Sequence, residues 1–180
     1  MRHLTPLLAV LLLAGPVRAA DSDGADHAAL PRYPGAEIAN YRGASVDNIF
    51  LPTATVAAEA RAAGQALSGN VTHIDYRITP AIGALGVARH YEGVLQSGGF
   101  RILFACAGID RCGRDMGSLI LNSGRVAPTG FADGIFRDGL RVIVAERGAT
   151  KVLLHIVEGP DRTLVYEAVV DDTAVDTASS

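Results

Sequence analysis

The sequence predicts an α+β fold: an antiparallel or mixed sheet with one main amphipathic helix packed on one face. Three observations carry this expectation. Thr72, Ile74, Tyr76 and Ile78 alternate with His73, Asp75 and Arg77, the period of a half-buried strand. From Ile82 to Ser97 the period changes, and Ala84, Val87, Ala88, Tyr91, Val94 and Leu95 fall on one helical face opposite Arg89, Glu92 and Gln96. Three apolar runs then close the chain, at Leu140 to Glu146, Lys151 to Glu158 and Leu164 to Val170. The short turn-forming stretches "RGAT" and "GPDR" separate them, as in a meander.

Taken in order, the chain opens with Arg2, an apolar run Leu7 to Leu13, a Gly-Pro break, and Val17 and Ala19 at small-residue cleavage positions. This is the layout of a secretory signal peptide spanning residues 1–19, and its apolar run is too short to cross a bilayer. Residues 20–30 are acidic and polar and read as a mobile N-terminal segment, leaving 31–170 as a single domain and 171–180 as a polar tail. Pro31, Pro34 and Gly35 force a turn before a short strand at Glu37 to Tyr41, with Val46 to Pro52 as its hairpin partner. The Ala-rich stretch "TATVAAEARAAGQALSG" reads equally as helix or linker. Thr79 suits a helix N-cap and Pro80 the first helical position, while Gly98-Gly99 suits a left-handed close. "FRILFAC" is the next strand.

Cys106 and Cys112 are the two cysteines of the chain. In an exported protein such a pair reads as a structural disulfide. The alternatives are weaker. Thiol oxidoreductases favour a C-x-x-C spacing at a helix N-terminus, and a zinc site needs two further ligands at suitable spacing. His27, His73, His90 and His155 are scattered without H-x-x-H or H-E-x-x-H. His155 lies in an apolar strand and His90 beside Tyr91, so both read as packing, and His73 on the polar face of its strand reads as solvated. No G-x-S-x-G elbow, phosphate loop or dinucleotide fingerprint occurs, and Asp171-Asp172 belongs to the tail. No catalytic residue, metal site or cofactor is therefore expected.

Residues 107–139 form a long glycine-rich loop, and structureless loops of this length are uncommon and often functional. Its apolar groups either cover one edge of the sheet or present a groove for a partner. On the second reading the binding surface comprises Arg114, Met116, Leu119, Ile120, Phe131 and Phe136, with Arg111 and Arg125 nearby. The whole chain has 16 basic and 19 acidic residues, and loss of Arg2 and Arg18 with the leader makes the balance more acidic. That balance argues against a nucleic-acid partner.

The pieces "HAALPRYPGAEIANY", "LSGNVTHIDYRI" and "VARHYEGVLQSGGFRILFACAG", followed by "RCG", together resemble a bacterial cell-envelope domain of unknown function, family number 4892 among such domains. The resemblance covers about Asp26 to Gly113, and "GGF-x-x-LF-x-C-x-G" followed by Cys-Gly is its most specific part. The same domain also occurs N-terminal to OmpA-like domains. The resemblance implies an exported cell-envelope domain with no established activity. It supplies no catalytic residue. The expected role is a non-enzymatic accessory or binding module, periplasmic or outer-membrane-associated, with an envelope protein, a lipid or a cell-wall component as partner. The alternatives are a periplasmic small-molecule or lipid carrier with a pocket between helix and sheet, and a thiol-redox enzyme.

Overall fold

The computed structural model describes residues 24–133 and 139–171. The expected leader, Phe136 and the tail beyond Asp171 lie outside the described residues. Six strands form one antiparallel sheet: β1 (Glu37–Pro52), β2 (Gly64–Ile78), β3 (Arg101–Ala107), β4 (Arg141–Arg147), β5 (Thr150–Glu158) and β6 (Thr163–Asp171). Their order is β1-β2-β6-β5-β4-β3. The C-terminal meander turns back so that β6 docks beside β2, and helix α1 (Ala84–Ser97) carries the chain from β2 to the opposite edge at β3. The fold is α+β with one main helix on one face, as its sequence predicts.

Each face of the sheet has its own core. On the helix face, Val87, Ala88, Tyr91 and Leu95 of α1 pack over Ile74, Tyr76, Ile143, Leu154, Ile156 and Val165. The opposite face, here called the loop face, is covered by two short helices, α2 (Gly108–Cys112) and α3 (Met116–Leu121). Met116, Leu119 and Ile120 pack there against a cluster that includes Val142, Val144, Leu153 and Tyr166. The middle strands β5 and β6 are buried on both faces, which is why their sequences are apolar almost throughout.

Several local expectations are corrected. Glu37 to Pro52 is one continuous strand bent by irregularities between Ile38 and Asn40 and between Arg42 and Ser45, not two strands of a hairpin. The Ala-rich stretch is a connection up to residue 63 and strand after it, not an α-helix. It makes a 3-10 turn at Glu59–Arg61 and then, from Gly64, enters β2, where pairing with β1 outweighs the helix propensity of alanine. Thr79 does not cap the helix, and Pro80 follows a cis peptide bond. The backbone before α1 is engaged by the β5–β6 turn: Ala81 N–H donates to the Asp161 carbonyl at 3.0 Å and Ile82 N–H to Thr163 Oγ1 at 2.9 Å. The helix therefore starts at Ala84, whose N–H donates to Glu158 Oε2 at 3.0 Å. A carboxylate from another strand thus caps it, and this also suits the helix dipole. At the other end, Gly99 adopts φ +77° and Phe100 N–H bonds the Leu95 carbonyl, the close its sequence predicts.

The described part of the N-terminal segment is not loose. Leu30 is fully buried on the helix face, Asp26 accepts from the Tyr76 hydroxyl at 3.1 Å, and His27 lies 3.0 Å from Asp171. Asp171 accordingly belongs to β6 rather than to a free tail. Residues 107–139 are likewise not a structureless loop, since α2 and α3 occupy their first half.

Candidate functional site

Two features of the loop face have polar chemistry: a buried seam across the sheet and an open groove on a projecting hairpin arm. The strand register builds the seam. Asn40 pairs with Asp75, Asp75 with Tyr166, Tyr166 with His155, His155 with Val142, and Val142 with Cys106, so one line of cross-strand neighbours crosses all six strands. His73 lies two residues along β2 from Asp75, and its Nδ1 is 2.7 Å from the Tyr166 hydroxyl. That hydroxyl also lies 3.4 Å from the Val126 carbonyl. Phe131 roofs the pair, with its ring centroid 5.8 Å from that of His73 and 6.2 Å from that of Tyr166. Asn40 Nδ2 holds the roof by donating to the Phe131 carbonyl at 2.8 Å.

His73 was expected to face solvent; it is 3 % exposed and Asp75 is 4 % exposed. The alternation of β2 correctly divides its two faces, but residues 126–133 cover the polar one. Burial sets the protonation of the seam. It lowers His73 to about 4, with Arg42 adding to the shift, and it lowers His155 to about 4. Burial raises Asp75 to about 7, partly offset by a hydrogen bond from the Asp133 backbone. The histidines are thus neutral at pH 7, and Asp75 is partly protonated. With His73, Asp75, Tyr166 and His155 all closed off from solvent, this is a structural polar seam without substrate access. Among the described residues no three His, Cys, Asp or Glu side chains converge as a metal site.

The open feature lies on the arm. Among the described residues β2 pairs with β6 from Asn70 onward, and Asp47 to Pro52 and Gly64 to Gly69 pair with each other beyond that point as a two-stranded ribbon. A groove of about 430 Å³ runs along it, lined by Asn48, Phe50, Leu67 and Ser68 of the ribbon and by Gly124 and Arg125. Ligand pockets are typically about 300–1,000 Å³. The Arg125 guanidinium lies 4.2 Å from the Phe50 ring centroid, and Phe50 N–H donates to the Arg125 carbonyl at 2.8 Å.

Cys106 and Cys112 form the expected disulfide, which turns the end of β3 into α2. The knuckle so formed clasps the arm. Val56 N–H donates to the Cys112 carbonyl at 2.8 Å, Asp115 N–H returns to the Val56 carbonyl at 3.1 Å, and Thr55 Oγ1 donates to the Arg111 carbonyl at 2.8 Å. Replacing both cysteines by serine is expected to lower stability by roughly 2 kcal/mol on the chain-entropy account of so small a loop. Urea unfolding of oxidised wild type against the double variant measures this, and equal midpoints would refute it.

The sequence-predicted binding residues separate. Met116, Leu119 and Ile120 have no exposed surface and belong to the loop-face core, so they cover the sheet and do not form a contact surface. The two apolar residues of each α3 turn had to point somewhere, and the bare sheet face was their nearest apolar partner. Phe131 is half-buried as the roof of the seam. Arg114 is exposed and ties the arm, its Nε donating to the Ala57 carbonyl at 3.0 Å. Phe136 lies outside the described residues. The groove residues Asn48, Phe50, Leu67 and Ser68 were not singled out in the sequence. Their local signal, an apolar residue beside a small polar one on each strand, is common to any exposed ribbon.

Fold and groove together define an α+β protein with a disulfide-clasped hairpin arm. No protein-family model matches the chain, and no curated protein matches it.

Proposed function

We propose that this chain is an exported, non-enzymatic binding module of the bacterial cell envelope, and that the arm groove is its contact surface. The groove carries the reading, because it joins an apolar floor, a cation and open access in one place, whereas the seam is sealed. The leader-like start, the disulfide and the resemblance to an envelope domain support export. Two other readings have less support. The space between α1 and the sheet, where a carrier pocket would lie, is occupied by fully buried Val87, Tyr91 and Leu95. Thiol-redox chemistry favours a C-x-x-C pair at a helix N-terminus, whereas this disulfide spans six positions and ends on buried Cys112 at the last position of α2.

Two measurements test the proposal. The full chain is expressed in a bacterium, fractionated, alkylated and weighed with and without reductant. The expected result is a periplasmic or envelope species lacking Met1 to Ala19, with both thiols protected until reduction. A cytoplasmic chain that retains Met1 and has reactive thiols would refute export. The purified protein is then sedimented with peptidoglycan sacculi and with envelope membranes. Retention by neither would refute the binding role.

A further inference from the structure

We infer that the arm groove binds a single molecule of an anionic, single-chain amphiphile, with its carboxylate or phosphate head against Arg125 and Asn48 and its chain along Phe50 and Ala66. This rests on the binding-module reading and names its ligand class.

The first step is to decide between a peptide strand and a small amphiphile. β1 is an edge strand, and an edge recruits a peptide by offering unpaired N–H and C=O groups. Along this stretch β1 has already used donors of that kind. Phe50 N–H goes to the Arg125 carbonyl, Asn48 N–H to Asp47 Oδ1 at 2.8 Å, and Tyr41 N–H to Asn40 Oδ1 at 3.0 Å. Two irregularities bend the strand further from a continuous ladder. The edge is therefore a poor template for an added strand, and recognition falls to the groove's side chains.

Those side chains divide by chemistry. Phe50 is half-buried against the loop-face core and, with Ala66 opposite it, gives an apolar wall on the ribbon face that carries Asn48 and Ser68. Arg125 spans the Phe50 ring and supplies the positive charge at one side. Among the described residues Arg125 enters no ion pair; its NH1 reaches only the Glu59 carbonyl, at 3.4 Å. Ser68 Oγ donates to Asn48 Oδ1 at 2.6 Å, which fixes that amide with its oxygen taken and leaves the NH2 group to donate. Asp47, next in sequence to the groove residue Asn48, is occupied by the Asn48 N–H and by Arg42 at 3.7 Å. Donors with a positive charge on one side and a hydrocarbon wall on the other fit a ligand with an anionic head and an apolar body. Guanidinium bonds to carboxylate or phosphate are among the stronger hydrogen bonds available for this purpose.

The test uses the oxidised full-length protein and sodium dodecanoate below its micelle concentration, followed by titration calorimetry. Saturable one-to-one binding is expected. Arg125→Gln is expected to weaken it by about tenfold or more, since a hydrogen bond to a charged group is lost. Ser68→Asp, which sets a carboxylate beside Asn48, is expected to abolish it. Both positions are exposed, and circular dichroism confirms that the variants fold. Acetate competing as well as dodecanoate would overturn the amphiphile, because the apolar wall would then be idle. So would undiminished binding by Arg125→Gln. Sedimentation with phosphatidylglycerol vesicles without any binding of monomeric dodecanoate would assign the groove to a membrane surface and also overturn it. Should dodecanoate fail while the two variants still abolish retention by sacculi or membranes, the binding-module reading stands and the ligand class falls. If retention is absent as well, both fall.

Discussion

Gly113→Ala is expected to destabilise the protein by roughly 3–5 kcal/mol, a large part of the ~5–15 kcal/mol that holds a typical domain together. Gly113 follows Cys112 at the point where the disulfide knuckle meets the arm, with φ +93° and ψ 149°. An alanine there meets two penalties. The backbone lies in a region that L side chains rarely adopt, at about 1–3 kcal/mol. A Cβ would also sit 2.2 Å from the Val56 carbonyl oxygen, so the arm would have to move away. Movement would break the pair of bonds between Val56 and the Cys112–Asp115 backbone, each worth about 1 kcal/mol. Gly130→Ala is the control. Gly130 has φ +74° with open space around it, so only the backbone penalty of about 1 kcal/mol applies. Urea unfolding of the two variants separates the effects. Equal shifts in the midpoint would mean that the clasp contributes nothing.

As pH rises above 7 the protein is expected to lose stability, by up to about 1.4 kcal/mol per pH unit, and Glu167→Gln is expected to remove that loss. Glu167 lies on β6 beneath α1, fully buried, with neither carboxylate oxygen hydrogen-bonded among the described residues. Burial holds its carboxyl well above the usual range, with the Asp26 charge acting in the same direction. The sign follows from its two states. Unfolded, the side chain ionises above its ordinary value of 4.5; folded, burial holds the proton on to higher pH. Its contribution to stability is whole below 4.5 and declines as pH rises toward the folded value. Asp75 acts in the same direction, from 3.8 up to about 7. His73 and His155 act in the opposite direction, because they are neutral when folded down to about 4 and charge below 6.5 when unfolded. From about pH 4.5 to 6.5 the two acids and two histidines nearly cancel, and the profile should be flat. Beyond 7 only Glu167 of these four still changes the balance. Above pH 7 stability is expected to keep falling in wild type and to stay level in Glu167→Gln. Unfolding free energies at four pH values test this, and parallel profiles for the two proteins would exclude Glu167 as the cause.

Much of the architecture is legible in particular residues. The meander is read from three apolar runs divided by turn residues, because strands buried on both faces need apolar side chains throughout. The helix is read from its face at Val87, Ala88, Tyr91 and Leu95, all of which are buried. The disulfide is read from the only two cysteines of the chain together with its leader-like start. Three other features are set by distant partners. The alternation at His73 and Asp75 tells the two faces of β2 apart but says nothing about residues 126–133 folding over the polar one. Ala66 and Leu67 become a strand because Phe50 and Ile49 lie opposite. The start of α1 moves past Pro80 because Asp161, Glu158 and Thr163 engage the preceding backbone. The groove is the least legible of all. It exists only because Arg125, far along the chain, comes to rest on Phe50.

The clasp at Val56 has a topological consequence. β1 and β3 are the two borders of the sheet, and an open sheet can add foreign strands at both. Here the end of β3 runs through Cys106, the disulfide and Cys112 directly to the tip beyond β1. At that end the two borders are fastened to each other through the knuckle. Swinging β3 away from the arm would first require the clasp to be opened. One oxidised cysteine pair therefore joins the two ends of the strand order that the sheet itself leaves farthest apart.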